Sequence, residues 1–412
     1  MNARLASTVL TATMTLLFLS GCANLHKQTV PLYEAPAYYN YLQADFEAYV
    51  DISRSWLSRH REFISDNQAL ELDMNAPFIL KAAQPSSKAI LLIHGLGDSP
   101  YYFSDLGRSL QQQGFDVFVL LLPGHGSKPS DLLLPRYQDW QQIVDVYSNQ
   151  LKARYPEFWL GGFSTGANLA TIHTLEQGGI SGLLLFSPGF QSHIPFLEKL
   201  SPLVASIWDW AWITREDNLA RYSSAPINAT IAYSDSASTV RARLKQQQLD
   251  IPTYIVMSEA DSVIDPQATI ELFKERFTHP ANRMTLYGEM PVEQEKILVK
   301  SMRLPEYQIS TGSHMSPLFA PDNPYYGRKG QKRMCRNGLN STEKQRCEQG
   351  DAVWFSAWGY SEEDKIHARL TWNPYYQEML EQISHFTRLT QPAPPNQSLS
   401  LKMQARQDFP HL

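Results

Sequence analysis

A serine between two glycines is the part of this sequence best suited to covalent chemistry. The segment Gly162-Phe163-Ser164-Thr165-Gly166 follows an apolar run and leads directly into small and helix-forming residues. This order predicts a strand, a very tight turn and a helix, with Ser164 at the apex of the turn. The flanking glycines allow a strained backbone to pass close to the neighbouring strand and helix. The Ser164 hydroxyl would then face outward as a nucleophile.

A serine nucleophile needs a base that takes its proton and an acid that orients this base. The turn after a buried strand contains Asp261 and Asp265. Asp261 lies nearer the end of the strand and is the predicted acid, with Asp265 as the alternative. Asp265 directly precedes Pro266 and is interpreted as the N-cap of the next helix. His314, in a late turn among small residues, is the predicted base.

A tetrahedral intermediate also requires hydrogen-bond donors for its oxyanion. The sequence predicts the backbone amide of Thr165, directly after the nucleophile, and that of Leu96, in the loop after His94-Gly95. His94 is interpreted as a brace for this loop rather than as a base. His125, in a Pro-Gly-His-Gly turn, is interpreted as fixing a second loop near the site.

Apolar strands alternate with amphipathic helices over much of the chain, which predicts a doubly wound, mostly parallel α/β sheet. The predicted strands are at 78–80, 89–93, 117–122, 158–161, 182–187, 253–257 and 283–287, and the helices at 41–63, 101–113, 137–154, 167–177, 266–277 and 375–389. In such sheets, functional residues lie at the carboxyl ends of the strands. Ser164, His94 and His125 all follow predicted strands.

Five motifs in order resemble those of one family: His94-Gly95-Leu96-Gly97, Pro123-Gly124-His125-Gly126, Gly162-Phe163-Ser164-Thr165-Gly166, Asp261 and His314. Together they resemble the α/β-hydrolases, and most of all the group of monoacylglycerol lipases, carboxylesterases and serine aminopeptidases. The resemblance covers roughly residues 70–320. It implies a triad of Ser164, Asp261 and His314, oxyanion donors at Leu96 and Thr165, and a lid over the pocket. It implies no metal and no organic cofactor.

The predicted organisation has a central core with four additional segments. The boundaries are a lipoprotein signal peptide at 1–21, a lipidated tether and N-terminal helical segment at 22–69, the core at 70–190 and 251–320, a mostly helical lid insertion without clear strands at 191–250, and a C-terminal extension at 321–412. The polar stretch at 288–304 has no clear assignment. The extension departs from the family pattern, in which one helix usually closes the chain.

The first residues resemble an export signal. Arg4 precedes an apolar run that ends in Leu19-Ser20-Gly21-Cys22. This tetrapeptide resembles the lipobox of bacterial lipoproteins, so Cys22 is the predicted lipidation site; a plain signal peptide is the alternative. Ala23 favours the outer membrane of a Gram-negative envelope. The mature protein is therefore expected to be anchored to a membrane without spanning it.

The net charge argues against one class of ligand, and the two remaining cysteines predict a covalent link. A net charge of −5 argues against nucleic-acid binding, because no basic stripe is available for phosphates. The one basic cluster, at 328–336, is interpreted as a solvated loop. In an oxidising compartment, Cys335 and Cys347 predict a disulfide; two free thiols are the alternative.

These features predict a serine hydrolase that cleaves carboxylic esters, such as acyl glycerols or lysophospholipids. A peptidase or amidase with the same fold is the alternative within enzymes. A non-catalytic envelope binding protein is the alternative outside them, because fold alone does not establish turnover. Acyl-chain length and oligomeric state leave no signal in the sequence.

Overall fold

A computed structural model describes residues 30–193, 207–292 and 295–390. Its strands are β1 (Phe78–Leu80), β2 (Lys88–Ile93), β3 (Asp116–Leu120), β4 (Glu157–Phe163), β5 (Gly182–Phe186), β6 (Trp210–Trp212), β7 (Ala225–Pro226), β8 (Thr253–Ser258), β9 (Arg283–Tyr287), β10 (Ile297–Lys300), β11 (Trp354–Ser356) and β12 (His367–Arg369). Its α-helices are α1 (Phe46–His60), α2 (Gln68–Asn75), α3 (Ser104–Gln112), α4 (Tyr137–Arg154), α5 (Thr165–Gln177), α6 (Ile227–Gln246), α7 (Pro266–Arg276), α8 (Ser341–Glu348) and α9 (Tyr376–Leu389).

An eight-stranded sheet forms the centre, in the order β1-β3-β2-β4-β5-β8-β9-β10. All neighbours in it run parallel except β1 and β3. Successive side chains of a strand point to opposite faces, so each interior strand feeds two cores. In β2, Leu91 and Ile93 belong to one hydrophobic cluster, whereas Ile90 and Leu92 belong to the other. The prediction of a mostly parallel α/β sheet buried on both faces is confirmed.

The residues before the sheet pack into the core. Leu32, Tyr38 and Tyr41 are buried, so the predicted tether is wrong from Leu32 onward. Aromatic side chains bury large apolar areas and still offer a hydroxyl for a hydrogen bond. Tyr38 uses its hydroxyl to accept from the Gly124 amide at 2.7 Å. The signal peptide and Cys22 lie outside the described residues.

Strands β6, β7 and β10 are among the short elements that the sequence did not predict, together with α2, α8, β11 and β12. Strand β10 lies in the unassigned stretch 288–304 and pairs with β9 at the edge of the sheet. Only Ile297 of this strand is fully buried, so its sequence lacks the apolar run of an interior strand. Strands β6 and β7 form an antiparallel pair in the insertion predicted to lack strands, where α6 confirms the helical part. Residues 194–206 of this insertion lie outside the described ranges.

The C-terminal extension is folded onto the sheet. Cys335 and Cys347 form the expected disulfide, and a small hydrophobic cluster surrounds it. Helix α9 covers one sheet face, where Phe386 contacts the rings of Trp159 and Tyr254. Within the described ranges, no helix has the length and apolar character needed to cross a bilayer.

Candidate active site

The predicted nucleophile lies in a strained turn. Strand β4 ends at Phe163 and α5 begins at Thr165, which leaves Ser164 alone between them with φ 53° and ψ −115°. A non-glycine residue with this backbone conformation is uncommon and is maintained only by its surroundings. The Ser164 amide donates to the Phe186 carbonyl at 3.0 Å, and the Ser164 carbonyl accepts from the Gly189 amide at 3.1 Å. The tight turn predicted from the glycine spacing is present.

The two glycines beside Ser164 have no room for a side chain. A Cβ at Gly166 would lie 2.0 Å from the Ile93 carbonyl oxygen, and one at Gly162 would lie 2.4 Å from the Ala167 nitrogen. These contacts are with backbone atoms, which a side-chain rotation cannot relieve. Close packing of α5 against the end of β2 therefore depends on glycine here.

We expect Gly166→Ala to lower the free energy of unfolding by at least about 3 kcal/mol, because the added methyl group displaces backbone. Gly107→Ala, inside α3, is the matched control. A Cβ at Gly107 meets only side-chain atoms, the nearest at 3.4 Å, and its φ is not in the positive range. Its expected effect is below about 1 kcal/mol. Urea unfolding of both variants measures the difference, and equal costs would contradict the packing argument.

The predicted base and acid are in direct contact. The Nδ1 of His314 lies 2.6 Å from Asp261 Oδ2. The second oxygen, Oδ1, accepts from the amides of Val263 at 2.8 Å and Ile264 at 3.1 Å. The Asp261 side chain is fully buried, whereas that of His314 is 11% exposed. The carboxylate is therefore fixed by its own turn and presents one oxygen to the imidazole, with Nδ1–H as the donor.

Three neighbours position His314. The Ser187 hydroxyl donates to the His314 carbonyl at 2.9 Å, and the adjacent Ser313 hydroxyl donates to the Leu370 carbonyl at 2.5 Å. The ring of Phe163, directly before Ser164, lies 4.8 Å from the imidazole centroid. Among the described residues, no hydrogen bond joins Ser164 Oγ to His314. Such bonds are often long in a free enzyme and tighten when substrate binds.

Asp265, the alternative acid, has the other role predicted for it. Its Oδ1 accepts from the Ala268 amide at 3.1 Å, which caps α7. Its Oδ2 accepts from the Gln191 side chain at 3.1 Å. The structure brings Asp261, and not Asp265, to the imidazole of His314.

The loop that carries Leu96 lies against Ser164. A Cβ at Gly95 would lie 3.1 Å from Ser164 Cβ and 2.6 Å from Asp98 Oδ2, so only glycine allows this approach. Thr165 is the first residue of α5, where backbone N–H groups lack partners within the helix. The two predicted oxyanion amides therefore belong to segments that meet at Ser164.

His94 and His125 brace this loop, as predicted. His94 Nδ1 donates to the Gly95 carbonyl at 2.8 Å, and its Nε2 accepts from the Leu122 amide at 3.1 Å. His125 Nε2 accepts from the Gly97 amide at 3.0 Å. A ring nitrogen that accepts carries no proton, so both imidazoles are neutral. Burial lowers the pKa of His94 to about 4, and burial together with the repulsion that a protonated His94 would exert lowers the pKa of His125 well below its usual value.

Because the pKa values of His94 and His125 are lowered in the folded protein, we expect the protein to lose stability in mild acid. As the pH falls below about 6.5, the unfolded chain protonates these imidazoles but the folded chain does not. The free energy of unfolding should therefore fall by about 1.4 kcal/mol per pH unit for each imidazole, down to the folded pKa. Urea unfolding over this pH range measures the slope. We expect His125→Gln to reduce the slope; equal slopes in the variant and the wild type would contradict the assignment.

Residues that sequence reasoning missed also contact this loop. The Tyr222 amide donates to the Gly97 carbonyl at 2.7 Å, and Arg221 Nε lies 3.6 Å from Asp98 Oδ1. Burial raises the pKa of Asp98, and the Arg221 charge opposes that shift. Asp98 was visible in the sequence directly after the His-Gly-Leu-Gly motif. Arg221 and Tyr222 come from the insertion and carried no signal of their own.

A cavity of about 280 Å³ lies beside these residues. Gly97, Asp98, Arg221 and Tyr222 are among its lining residues. The cavity therefore places part of the insertion opposite the loop that contains Leu96. That the whole insertion forms a lid is still a prediction.

The fold and this arrangement define an α/β-hydrolase. A family profile described as serine aminopeptidase, S33, matches residues 84–290, which is half of the chain. The chain therefore belongs to this family, and it is a serine hydrolase of the carboxylesterase- and lipase-like kind.

Individual relatives are distant. A carboxylesterase from Bacillus subtilis (strain 168) is 22% identical over 218 residues, which are 48% of this chain and 81% of the relative. A thermostable monoacylglycerol lipase from Bacillus sp. (strain H-257) is 22% identical over 198 residues, 46% of this chain and 78% of the relative. The crystal structure of Paleococcus ferrophilus monoacylglycerol lipase aligns with a TM-score of 0.48 and 14% identity, covering 76% of this chain and 99% of that one.

Proposed function

We propose that this protein hydrolyses carboxylic esters through a triad of Ser164, His314 and Asp261. The observation that carries the proposal is the buried Asp261–His314 pair, whose imidazole packs on Phe163, directly before the strained Ser164. A carboxylesterase and a monoacylglycerol lipase among the relatives favour esters of small acyl substrates, such as monoacylglycerols or lysophospholipids.

In the proposed acylation step, His314 Nε2 takes the proton of Ser164 Oγ as this oxygen attacks the ester carbonyl. The Asp261 carboxylate holds Nδ1–H in place and stabilises the imidazolium that forms. The amides of Leu96 and Thr165 donate to the oxyanion of the tetrahedral intermediate. When the intermediate collapses, His314 Nε2 returns the proton to the departing alcohol. Water then repeats the sequence on the acyl-enzyme and releases the acid and free Ser164.

Cleavage of peptides from their amino terminus is the second candidate, because the family description names aminopeptidases. An amino-terminal ammonium group requires an unpaired carboxylate near the reacting serine. Asp98 is buried beside the Leu96 loop, but Arg221 lies 3.6 Å away. Glu216, which lines the same cavity, accepts from the amides of Ser223 and Ser224 at 2.7 and 2.8 Å. These two carboxylates already have partners, and Glu62, the third carboxylate that lines the cavity, is exposed to solvent, which favours esters.

Paired substrates separate the two candidates. We expect turnover of p-nitrophenyl butyrate and of monoacylglycerols, and little or no turnover of aminoacyl p-nitroanilides. Preference for the anilides would replace the ester proposal with the peptidase. The absence of turnover on a broad ester and amide panel would favour the non-catalytic alternative.

We also propose that Cys22 carries a lipid that holds the enzyme beside acyl substrates at an outer membrane. The support is the signal-like sequence alone. Metabolic labelling with an alkyne fatty acid tests it: label is expected in the wild-type chain and absent from Cys22→Ser. Equal labelling of both proteins would contradict the proposal.

A further inference from the structure

A second cavity lies in the C-terminal extension, outside the residues proposed for ester hydrolysis. Its volume is about 300 Å³. Five basic side chains line it, and its described lining contains no carboxylate: Arg328, Lys329, Lys332, Arg333 and Arg369. Such a concentration of one charge attracts and retains anions. This cavity is notable in a protein whose net charge is −5.

Most of these cations lack an acidic partner. Within the described parts of the chain, Lys332 alone of the five is paired with a carboxylate, 3.0 Å from Asp217. Arg333 donates to a neutral acceptor, the Asp351 carbonyl at 2.9 Å. Arg369 has only long hydrogen bonds, of 3.4 Å, to the Asn337 side chain and the Arg336 carbonyl. The charge of the cavity is therefore largely uncompensated.

Arg369 lies near other cations. Burial, together with the nearby Arg221 and Arg336, lowers the pKa of Arg369 to about 10. It remains a cation at neutral pH, although its neighbours oppose the charge. Desolvating a cation beside other cations is unfavourable unless an anion compensates it. An anion bound here would remove that cost.

Arg328, Lys329 and Arg333 lie in an exposed loop, as the sequence suggested, and hydrogen bonds hold the backbone around the cavity. Arg369 belongs to β12, and its amide donates to the Met334 carbonyl at 3.0 Å. The turn that carries Arg328 and Lys329 is closed by a hydrogen bond from the Gly330 amide to the Gly327 carbonyl at 2.9 Å. A few residues further along the chain, the Cys335–Cys347 disulfide begins at Cys335. The backbone that carries the basic groups is therefore fixed before any ligand arrives, which lowers the entropic cost of binding.

We propose that this cavity binds a ligand whose phosphate groups carry at least two negative charges, with Arg369, Arg333, Arg328 and Lys329 as the cationic contacts. A single carboxylate would leave most of the cations uncompensated, whereas phosphate oxygens accept from several guanidinium groups at once. A volume of about 300 Å³ accommodates a phosphate group with a small organic substituent. Such a ligand is either a soluble phosphate compound or an anionic lipid headgroup.

Calorimetric titration of the full chain with inorganic pyrophosphate tests the proposal. We expect one site per chain and at least about tenfold weaker binding for Arg369→Gln and for Arg333→Gln. Lys344→Gln and Arg346→Gln are matched controls on α8. There, the two cations already pair with Glu348 at 3.5 Å and Asp351 at 2.8 Å. The control substitutions should change affinity by less than about twofold.

Stability measurements show whether a loss of binding reflects misfolding. Without ligand, Arg369→Gln should be at least as stable as the wild type, because it removes a repelled cation. Pyrophosphate should raise the unfolding temperature of the wild type more than that of the variant. If Arg369→Gln fails to fold, Arg328→Gln and Arg333→Gln, both at exposed positions, carry the same expectation.

Vesicle sedimentation distinguishes the two sources of phosphate. Phosphatidylcholine vesicles with and without phosphatidic acid isolate the contribution of the anionic headgroup. If Arg369→Gln removes the binding that depends on phosphatidic acid, the ligand is a lipid headgroup; pyrophosphate binding without this dependence indicates a soluble ligand. The proposal is overturned if the wild type binds neither probe, or if the variants and controls lose affinity equally.

Discussion

Replacing Asp261 with asparagine is expected to lower kcat for ester hydrolysis about 10⁴-fold with little change in fold. The carboxylate accepts from His314 Nδ1–H at 2.6 Å and thereby leaves Nε2 free to take a proton. An asparagine amide can donate to Nδ1 instead, which places the imidazole proton on Nε2. A protonated Nε2 is unable to accept the proton of Ser164.

Asp265→Asn is the matched control for this substitution. The two aspartates lie four residues apart in one turn, and each accepts a backbone amide, but Asp265 caps α7. Asparagine is as good an N-cap as aspartate, so stability and kcat should both stay close to the wild-type values. Steady-state kinetics on p-nitrophenyl butyrate measures both variants. A comparable loss in Asp265→Asn, or none in Asp261→Asn, would reverse the assignment of the acid.

Ser164→Ala is expected to have the largest effect, a loss of about 10⁵- to 10⁶-fold in kcat. No acyl-enzyme forms without the hydroxyl, and the remaining rate comes from binding and from the amides of Leu96 and Thr165. The residues of a triad act as a unit, so Ser164→Ala/Asp261→Asn should be no slower than Ser164→Ala alone.

Kinetics of the single and double variants measure this coupling. Ser313→Ala, which removes a hydroxyl from the loop next to His314, tests whether loss of a nearby serine alone has such an effect. We expect it to retain far more activity than Ser164→Ala, because Ser313 only helps to position the loop of His314 and forms no bond to the substrate. If the loss of kcat in the double variant equals the product of the two single losses, Ser164 and Asp261 contribute to separate steps.

Local sequence signals predicted the elements of the sheet well where burial is complete. The run at 89–93 is apolar at every position because both faces of β2 are covered, and such a run has one plausible structure between turn residues. The glycines at 162 and 166 were equally informative, because a Cβ at either position would collide with backbone. In both cases the residue types follow directly from the packing around them.

Elements held by distant contacts left weaker signals. Tyr38 and Tyr41 looked like part of a polar tether because hydroxyl groups and prolines are common in linkers. Their burial depends on partners far along the chain; for example, the Tyr41 carbonyl accepts from the Tyr147 hydroxyl at 2.7 Å. Strand β10 has one fully buried residue and pairs on one side only, so its pattern resembles a loop.

Site residues with a local sequence signal could be predicted, whereas those brought in by distant contacts could not. Asp261 was preferred over Asp265 from its position in the turn, and the capping hydrogen bond of Asp265 agrees with that choice. Arg221 and Tyr222 reach the Gly95–Asp98 loop from an insertion with no recognisable motif, so only the fold reveals them. The basic residues at 328–336 were visible, but their convergence with Arg369 depends on β12.

The central claim is that Ser164 is the nucleophile of an ester hydrolase. A fluorophosphonate probe reacts covalently with an activated serine, and peptide mass spectrometry then identifies the modified residue. We predict one modified serine in the wild type, Ser164, with slower modification in Asp261→Asn and His314→Gln and none in Ser164→Ala. Modification of another serine, or modification that persists in Ser164→Ala, would contradict the account.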